Sequence, residues 1–380
     1  DGNIIILDYV TCNREEANGA TTFTLSGTVG GFSDVTITTK GNAAGGDEPE
    51  TIKSIKYNAP RDYTSQDRAV TADDYKVLVK SLYANAQSVQ VYGGEDAATP
   101  DYGKVYISIK AKSGSNLTEV TKTSLVQSLK SYAVASVTPV IIDPETTFIT
   151  LTTTFKYDSS LTTKDVSTLQ TNVLNAVSTY NTDTLEDFTG MFRYSAVGKT
   201  IDEADTSILS NITKIKMYKY ITPTLSSGLK YTLSFNNAFY NPHSGHNSSA
   251  GGIVSSTGFK INNDSSTNEH FLDDDGAGNI RVYYLSGTTR IYTDSTFGTI
   301  NYTTGEIILT SANITSISNV DGAASTQIRV TTTPSSNDII PVRNQVLEID
   351  TTNSTITGSV DEIESGSSQA GTTYTTTSSY

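Results

Sequence analysis

The chain has 380 residues, more than one hydrophobic core usually organises, so its length predicts two or three domains. Its net charge is −14, from 40 acidic and 26 basic residues, which argues against a nucleic-acid partner. No apolar run approaches the roughly 20 residues that span a bilayer, so no membrane partner is expected. The one cysteine, Cys12, excludes an internal disulfide framework.

Residues 1–57 have the pattern of a β-rich segment. The runs NIIILDYV and GTVGGFSDVTITTK are strand-like and broken by glycines, and GNAAGGDEPE at 41–50 has a loop composition. The chain starts at Asp1 without a methionine and enters an apolar run at once. We therefore expect this segment to be the end of a truncated upstream region.

The stretch from Asn58 to Val79, NAPRDYTSQDRAVTADDYKVLV, is called the joint. Pro60 is expected to end an extended segment there. Thr71 is a suitable helix N-cap, and Asp74 stands three residues later as the acid of a capping box. The apolar side chains that follow have helical spacing and predict one buried face: Tyr75, Leu78, Val79 and Leu82.

Residues 58–222 alternate helical and strand-like patterns. KVYISIKAK alternates with a period of two, TTFITLTTTFKYD is a longer strand, and KIKMYKY closes the region. One helical stripe between these strands consists of Val166, Leu169, Val173, Val177 and Tyr180. Helices laid over hairpin-joined strands predict an α+β sandwich with a ferredoxin-like arrangement.

Beyond Pro223 the helical patterns end. Strand-like runs such as NIRVYYL and GTINYTTGEIILT, separated by turn residues, predict a mainly-β domain over residues 223–360. Gly305 lies in a hairpin signal where positive φ is needed. Residues 361–380 are rich in Ser, Thr and Gly and predict a flexible or partner-ordered tail. The expected fold class is a multidomain α+β protein.

Few groups could carry catalysis or bind a metal. His243 and His246 form an H-x-x-H pair, with His270 further along, but the pair lies in a Pro/Gly/Asn loop, so a loop-structural role is favoured over a metal site. The acids from Asp273 to Asp275 lack the alternating spacing of a calcium loop and predict a hairpin turn.

Other catalytic patterns are missing as well. The loop with Gly93 and Gly94 lacks the Gly-Lys-Ser/Thr ending of a phosphate loop, and its acids, Glu95 and Asp96, are adjacent in a turn. No G-x-S-x-G motif occurs in the chain. We therefore predict no catalytic residue, no cofactor and no metal, and a protein that is not an enzyme.

The joint and the residues after it carry motifs of a known family. They are APR-x-Y-x-x-Q-x-RAVT-x-x-DY from Ala59 to Tyr75, GGED from Gly93 to Asp96, and GKV-x-I-x-IK from Gly103 to Lys110. Later phrases such as LSFNNAFYNPHSGH, FLDDDGAGNIRVYYL and NQVLEID follow in order along nearly the whole chain. The chain resembles the baseplate J-like proteins of contractile-tailed bacteriophages, specifically the C-terminal portion of the large wedge subunit of T-even-like baseplates.

This resemblance implies a non-enzymatic virion component, located in the tail baseplate and assembled in the host cell cytoplasm. It implies that the chain pairs with a second copy of itself and that the pairs join, six-fold, into a ring around the hub. Other wedge and hub proteins would dock on this ring, which would rearrange as the baseplate switches to the state that triggers sheath contraction.

The joint supplies the interface candidates of this chain: Pro60, Arg61, Tyr63, Arg68, Thr71, Asp74 and Tyr75. Two interpretations of the arginines stay open, since they either fasten the joint to acidic or carbonyl groups of a partner or tie only their own domain together.

Two other functions also stay open. The Tyr-rich strands of residues 223–360 are compatible with a glycan-binding adhesin module on a virion or in the extracellular space. A polysaccharide-degrading enzyme that uses an acid between Asp273 and Asp275 is the weaker alternative.

Overall fold

The computed structural model describes residues 16, 20, 22–37, 52–97, 99–112, 116–262, 264 and 268–361. The chain divides into two compact units, Asp1–Pro144 and Glu145–Tyr380. The expected strand NIIILDYV, Cys12, the loop at 41–50 and nearly all of the expected tail lie outside the described residues. The division into residues 1–57, 58–222, 223–360 and 361–380 stays a prediction. No helix in the described ranges has both the length and the apolar character needed to cross a membrane.

The first unit is a three-stranded sheet with helices. Its elements in order are α1 (Ile52–Ser65), α2 (Ala72–Leu82), β1 (Ala86–Gly93), β2 (Lys104–Ala111), α3 (Glu119–Lys130) and β3 (Thr138–Ile142). The strand order is β1-β2-β3, with β1 antiparallel and β3 parallel to β2. A parallel neighbour needs a crossover connection, and α3 is that crossover. The apolar face of β2 is confirmed, since Ile107 and Ile109 lie in the core with α2, but Ser108 between them is buried as well.

Helix α1 corrects two expectations from the sequence. Residues 52–57, expected in a β-rich segment, are helical, and Pro60 lies inside α1 instead of ending an extended segment. Proline removes one backbone donor from a helix but its fixed φ fits helical geometry. Local bonds support the helix around it: Asn58 Nδ2 donates to Ser54 Oγ at 3.0 Å, and Arg61 Nη1 donates to the Tyr57 carbonyl at 2.7 Å.

The second unit is larger and richer in strands. Its first elements are β4 (Glu145–Tyr157), α4 (Val166–Tyr180), α5 (Tyr194–Asp202), β5 (Ile208–Ile221), β6 (Gly228–Ser234) and α6 (His246–Ala250). The rest are β7 (Ser255–Ser256), β8 (Phe259–Ile261), β9 (His270–Asp274), β10 (Asn279–Ser286), β11 (Thr289–Asn301), β12 (Glu306–Ile317), β13 (Ile328–Thr332), β14 (Gln345–Ile349) and β15 (Thr355–Val360).

One sheet of the second unit is built around β4. The order is β14-β4-β5-β13-β7, and β15 also pairs with β4. β4 and β5 are antiparallel, whereas β14 and β15 run parallel to successive halves of β4. Between those halves, the Leu151 N–H donates to Ser354 Oγ at 2.9 Å. The predicted stripe of α4 is confirmed at its centre, where Leu169, Val173 and Val177 are buried in the core.

The other sheet of the second unit closes on itself. Its order is β11-β10-β9-β8-β12-β6, and a further pairing of β11 with β12 completes the ring. The inside is apolar, with Leu272, Ile280, Val282 and Ile307 at most 1% exposed. The mixed α+β class is therefore confirmed. A single ferredoxin-like sandwich over residues 58–222 is not confirmed, because the strands of that range are divided between two sheets.

Candidate functional site

The joint contains a tight turn between α1 and α2. Gln66 and Asp67 have positive φ values of 47° and 57°. Two consecutive non-glycine residues in the left-handed region make a sharp reversal that costs conformational energy. Ala69 follows, forms a parallel bridge with Ala133, and donates its N–H to the Tyr132 carbonyl at 2.8 Å. This bridge ties the turn to the segment after α3.

The helix start predicted at Thr71 is confirmed by its hydrogen bonds. The Asp74 N–H donates to the Thr71 hydroxyl at 3.3 Å, and the Thr71 N–H donates to Asp74 Oδ2 at 2.8 Å. Asp74 Oδ2 also accepts the Val70 N–H at 3.1 Å. The reciprocal pair satisfies backbone donors that the first turn of a helix leaves without partners.

The apolar face of α2 is confirmed except at its end. Tyr75, Leu78 and Val79 are buried in the core of the first unit. Tyr75 is 1% exposed, and burial raises the pKa of its phenol. Leu82, expected on the same face, is 38% exposed because it is the last residue of the helix. Tyr75 therefore anchors α2 on the sheet.

A cleft of about 370 Å³ opens between the helices of the joint. Its lining comes from α1, the turn and the start of α2: Arg61, Thr64, Ser65, Arg68, Val70, Thr71, Asp73 and Asp74. Pro60 is exposed as well, while Tyr63 and Val70 are 82% and 65% exposed. The joint therefore presents charged, aromatic and aliphatic groups together at the surface, as protein interfaces do.

Neither arginine of the cleft forms an ion pair with a carboxylate in the part of the chain that the structure describes. Arg61 donates to the Tyr57 carbonyl, and its guanidinium lies 3.6 Å from the centroid of the Tyr57 ring. Arg68 Nη2 donates to the Gln66 amide oxygen at 3.3 Å. The two acids of the cleft are engaged in the capping box and in an ion pair with Lys76. Both guanidinium charges are therefore available to a partner.

Replacing Asp74 by alanine should lower the free energy of unfolding of the first unit by about 1 kcal/mol, because α2 loses the carboxylate that accepts two N–H groups at its start. Asp73→Ala is the matched control, since Asp73 is the neighbouring acid and pairs only with Lys76. It should cost only about 0.3 kcal/mol. Urea denaturation of both variants makes the comparison, and equal losses would contradict the role of the capping box.

The GGED loop is closed by its own backbone. The Asp101 N–H donates to the Gly94 carbonyl at 2.9 Å, and a Cβ on Gly94 would lie 1.8 Å from the Asp101 carbonyl oxygen. A hydrogen bond from Lys104, 2.7 Å away, lowers the pKa of Asp101. Glu95 and Asp96 lie in one short 3-10 turn, Gly94–Asp96, and do not face each other across a cleft. Gly94 of the motif is thus needed because the backbone of Asp101 approaches it too closely for a side chain.

The histidines form one pair and one buried single residue. His243 Nε2 and His246 Nδ1 lie 3.2 Å apart, with His243 in the loop before α6 and His246 at the first residue of that helix. His270 in β9 is 1% exposed, with Nε2 2.9 Å from Asp264 Oδ2. Within the described ranges, no group of three or more His, Cys, Asp or Glu side chains could hold a metal ion.

The acidic run does not form a hairpin turn as a whole, which corrects the prediction. Asp273 and Asp274 end β9 and are 2% and 1% exposed, and only Asp275 lies in the turn. Asp275 accepts the N–H groups of Ala277 and Asn279 at 2.8 and 2.9 Å. The sequence pattern does not reveal the buried members of the run, because their side-chain partners lie on other strands or in distant loops.

The buried carboxylate of Asp273 is the centre of a polar cluster whose outer members, Arg290 and Tyr292, are exposed. It accepts from Arg281 Nε at 2.9 Å, from Arg290 Nη1 at 2.7 Å and from the Tyr292 hydroxyl at 2.9 Å. The arginines also lie over aromatic rings, Arg281 over Tyr292 and Arg290 over Tyr283. These partners occupy both carboxylate oxygens of Asp273. The carboxylate therefore has a structural role, since it links β9 to β10 and β11.

Asp274 has a different set of partners. Its Oδ1 accepts the N–H groups of Ile253 and Val254 at 2.6 and 2.8 Å, and its Oδ2 accepts the Tyr302 hydroxyl. Burial, followed by this bond, raises the pKa of the Tyr302 phenol. Asp274 therefore fastens the segment before β7 to the closed sheet.

Two protein-family models match the chain, one after the other. Residues 71–142 match the Baseplate structural protein gp6, C-terminal domain I, and residues 145–220 match its C-terminal domain III. Residues 71–142 and 145–220 are thus similar to two domains of a baseplate structural protein. The first match begins at the N-cap of α2 and ends with β3, and the second begins with β4. The name baseplate J-like, expected from the sequence, is not confirmed by these matches.

A curated relative and a solved structure were also found. The relative is the Baseplate wedge protein gp6 of Enterobacteria phage T4, 30% identical over 240 residues, which are 60% of this chain and 36% of the relative. The chain thus spans about a third of that protein. The structure is the six-fold symmetrised cryo-EM baseplate of the anti-feeding prophage, with a TM-score of 0.33, 13% identity, and coverage of 45% of this chain and 39% of that one. That likeness is too low to carry an argument.

Proposed function

We propose that this chain is a structural component of the wedge in a contractile phage tail baseplate. The observation that carries the proposal is the pair of baseplate domain matches in chain order. Their limits, 142 and 145, fall at the boundary between the two compact units of the structure, Pro144 and Glu145. Each match therefore corresponds to a region that folds within one unit, and the similarity to a wedge protein supports the same role.

The proposal includes self-association. We propose that two copies of the chain form a dimer and that the dimers form a six-fold ring around the hub. Other wedge and hub proteins dock on this ring, and the ring rearranges when the baseplate switches state. Head-to-tail contacts that close by rotation produce such rings. The chain has a net charge of −14, so its surface offers carboxylates to which the arginines of the joint in another copy can bind.

The proposed role is non-enzymatic. Asp273 and Asp274 are engaged by arginine, tyrosine and backbone donors, and the GGED loop is closed by backbone contacts. Among the described residues these groups have structural partners that account for their burial. The domains matched are those of a baseplate structural protein, which supports the same conclusion.

The adhesin alternative is less well supported by the aromatic side chains. A glycan-binding surface needs tyrosines that face solvent in a row. Tyr283 is 8% exposed and lies 5.8 Å from both Phe271 and Tyr292, measured between ring centroids. These rings pack on one another. Specific binding of the full chain on a glycan array would restore the alternative.

The joint is the surface that we propose for contacts with a partner. Arg61 and Arg68 are the cations of its cleft, and Tyr63, on the same helix as Arg61, has a more exposed ring than Tyr57 of that helix. Arginine donors match carboxylate and carbonyl acceptors, and tyrosine contributes area at low conformational cost. Of the remaining candidates, Pro60 is exposed on α1, Thr71 and Asp74 line the cleft and cap α2, and buried Tyr75 anchors that helix in the core.

Arg68→Ala should weaken assembly of the chain with itself or with other wedge proteins by about tenfold, since an interface arginine commonly contributes more than 1 kcal/mol. Sedimentation velocity on the purified wedge complex measures the change. Lys80→Ala is the matched control, because Lys80 carries the same charge on the exposed side of α2. Unchanged sedimentation of the Arg68 variant would count against the joint as an interface, whereas failure of the wild-type chain to enter a baseplate would count against the proposed function itself.

A further inference from the structure

Two imidazole rings are in contact in the segment that precedes β7. His243 Nε2 lies 3.2 Å from His246 Nδ1, and the ring centroids are 4.9 Å apart with planes at 88°. The sequence favours a loop role for the pair because it predicts no helix that would fix their geometry. In the structure His246 is the first residue of the short helix α6, and its N–H donates to the His243 carbonyl at 3.0 Å, which closes the turn before the helix.

The two nitrogens lie at hydrogen-bond distance, with the donor set by the tautomers of the rings, and the same separation is that of neighbouring ligands on one metal ion. Imidazole nitrogens bind Zn²⁺ at about 2.0–2.1 Å, so two of them at a tetrahedral angle lie about 3.3–3.4 Å apart. At the right angle of a tetragonal Cu²⁺ site the same bond lengths place them about 2.9 Å apart. The observed 3.2 Å falls between these two values.

The other ring nitrogen of His243 is already engaged. Its Nδ1 lies 3.2 Å from the carbonyl oxygen of Ser244, to which it can donate a hydrogen bond. When Nδ1 carries the proton, the lone pair of the neutral ring is on Nε2, which faces His246. Metal-binding histidines have this arrangement, with the second nitrogen donating to a carbonyl or carboxylate.

The backbone on both sides of the pair is fixed by buried contacts. Asn247 is 1% exposed, and its Nδ2 donates to the Tyr240 carbonyl at 2.6 Å. The Tyr240 ring meets the His246 ring edge to face, with centroids 5.4 Å apart. A Cβ on Gly276 would lie 2.2 Å from the Asn247 backbone, so the loop is packed closely on the turn after β9. The pair is therefore preorganised, which reduces the entropy lost on binding an ion.

We propose that His243 Nε2 and His246 Nδ1 bind one divalent transition-metal ion of the Cu²⁺, Ni²⁺ or Zn²⁺ class. The described residues provide two ligands, so in the free chain water fills the other positions and the ion exchanges readily. Neutral imidazole suits these metals, and affinity should follow the order Zn²⁺ and Ni²⁺ below Cu²⁺. Hard ions such as Mg²⁺ and Ca²⁺ prefer oxygen ligands and should not compete.

Titration of the full chain with Cu²⁺ tests the proposal, with calorimetry for affinity and electron paramagnetic resonance for the ligands. We expect one site whose spectrum shows coupling to two nitrogens and which tenfold more Mg²⁺ does not displace. His243→Gln and His246→Gln should each weaken that site by about tenfold or more and leave coupling to a single nitrogen. Circular dichroism checks that the variants remain folded.

The doubly substituted chain, His243→Gln with His246→Gln, provides the decisive comparison. Loss of the two-nitrogen signal in this chain supports the site. Retention of the same affinity and stoichiometry would overturn it, because the ion would then be bound elsewhere. The outcome does not depend on the baseplate role, since the measurement uses the isolated chain and no assembly partner.

Discussion

Replacing Asp273 by alanine is expected to lower the free energy of unfolding of the second unit by about 3–5 kcal/mol. The carboxylate is 2% exposed and is the common partner of Arg281, Arg290 and Tyr292. Its removal leaves the partly buried guanidinium of Arg281 without a counter-charge and the Tyr292 hydroxyl without its acceptor. Both losses fall on β10 and β11, so the closed sheet is destabilised as a whole. Chemical denaturation followed by tyrosine fluorescence measures the loss.

Asp321→Ala is the matched control for this prediction. Asp321 also binds an arginine through two bonds, at 2.8 and 3.0 Å to Arg329, but its side chain is 41% exposed. Exposed ion pairs contribute about 0–1 kcal/mol, and alanine at the positive φ of Asp321, 51°, costs about 1 kcal/mol more, so this variant should lose no more than about 2 kcal/mol. If the two variants lose similar free energies of unfolding, the burial of Asp273 does not determine how much its carboxylate contributes to stability.

Gly305→Ala should destabilise the second unit by about 3–4 kcal/mol, from the cost of a left-handed backbone and from a steric collision. Gly305 has a φ of 69° in the turn between β11 and β12, which confirms the conformation expected from the hairpin signal. A Cβ there would lie 2.0 Å from the Asn237 carbonyl oxygen. The Phe235 N–H donates to the Gly305 carbonyl at 2.8 Å, so the turn cannot simply move outward.

Gly287→Ala separates the two causes. Gly287 has a similar φ of 64° in the turn between β10 and β11, but a Cβ added there would meet no atom within 4 Å. Only the backbone cost of about 1 kcal/mol remains. Thermal unfolding of both variants gives the difference, and a Gly305 variant that is no less stable than the Gly287 variant would rule out the collision.

Local sequence signals predict the structure correctly where a helix or strand depends only on contacts within its own residues. The capping box of Thr71 and Asp74 is set within four residues, and the stripe of α4 follows from helical spacing alone. The expectation for Pro60 is wrong because it rests on a rule about single residues, whereas side-chain bonds of neighbouring residues support the helix despite the lost donor. The helix around it depends on bonds such as that between Asn58 and Ser54, which no periodicity reveals.

The parts that depend on distant residues could not be predicted. The partners of Asp273 are 8 to 19 positions away, on strands whose register the sequence does not state. The cleft of the joint depends on the positive φ values of Gln66 and Asp67. Glutamine has no particular preference for turns, so the sequence does not indicate this conformation at residue 66. The geometry of His243 and His246 likewise arises from a turn that has no helical signature.

The parallel pairing of β14 and β15 with β4 has a consequence for synthesis of the chain. Val360 pairs with Tyr157, so this sheet stays incomplete until residues more than 200 positions downstream have left the ribosome. Contacts of such long range slow folding, because a large loop must close before they form. One edge of β4 therefore stays incompletely paired while the roughly 200 residues between Tyr157 and Val360 are synthesised, and in that period chaperones would protect it from pairing with other chains.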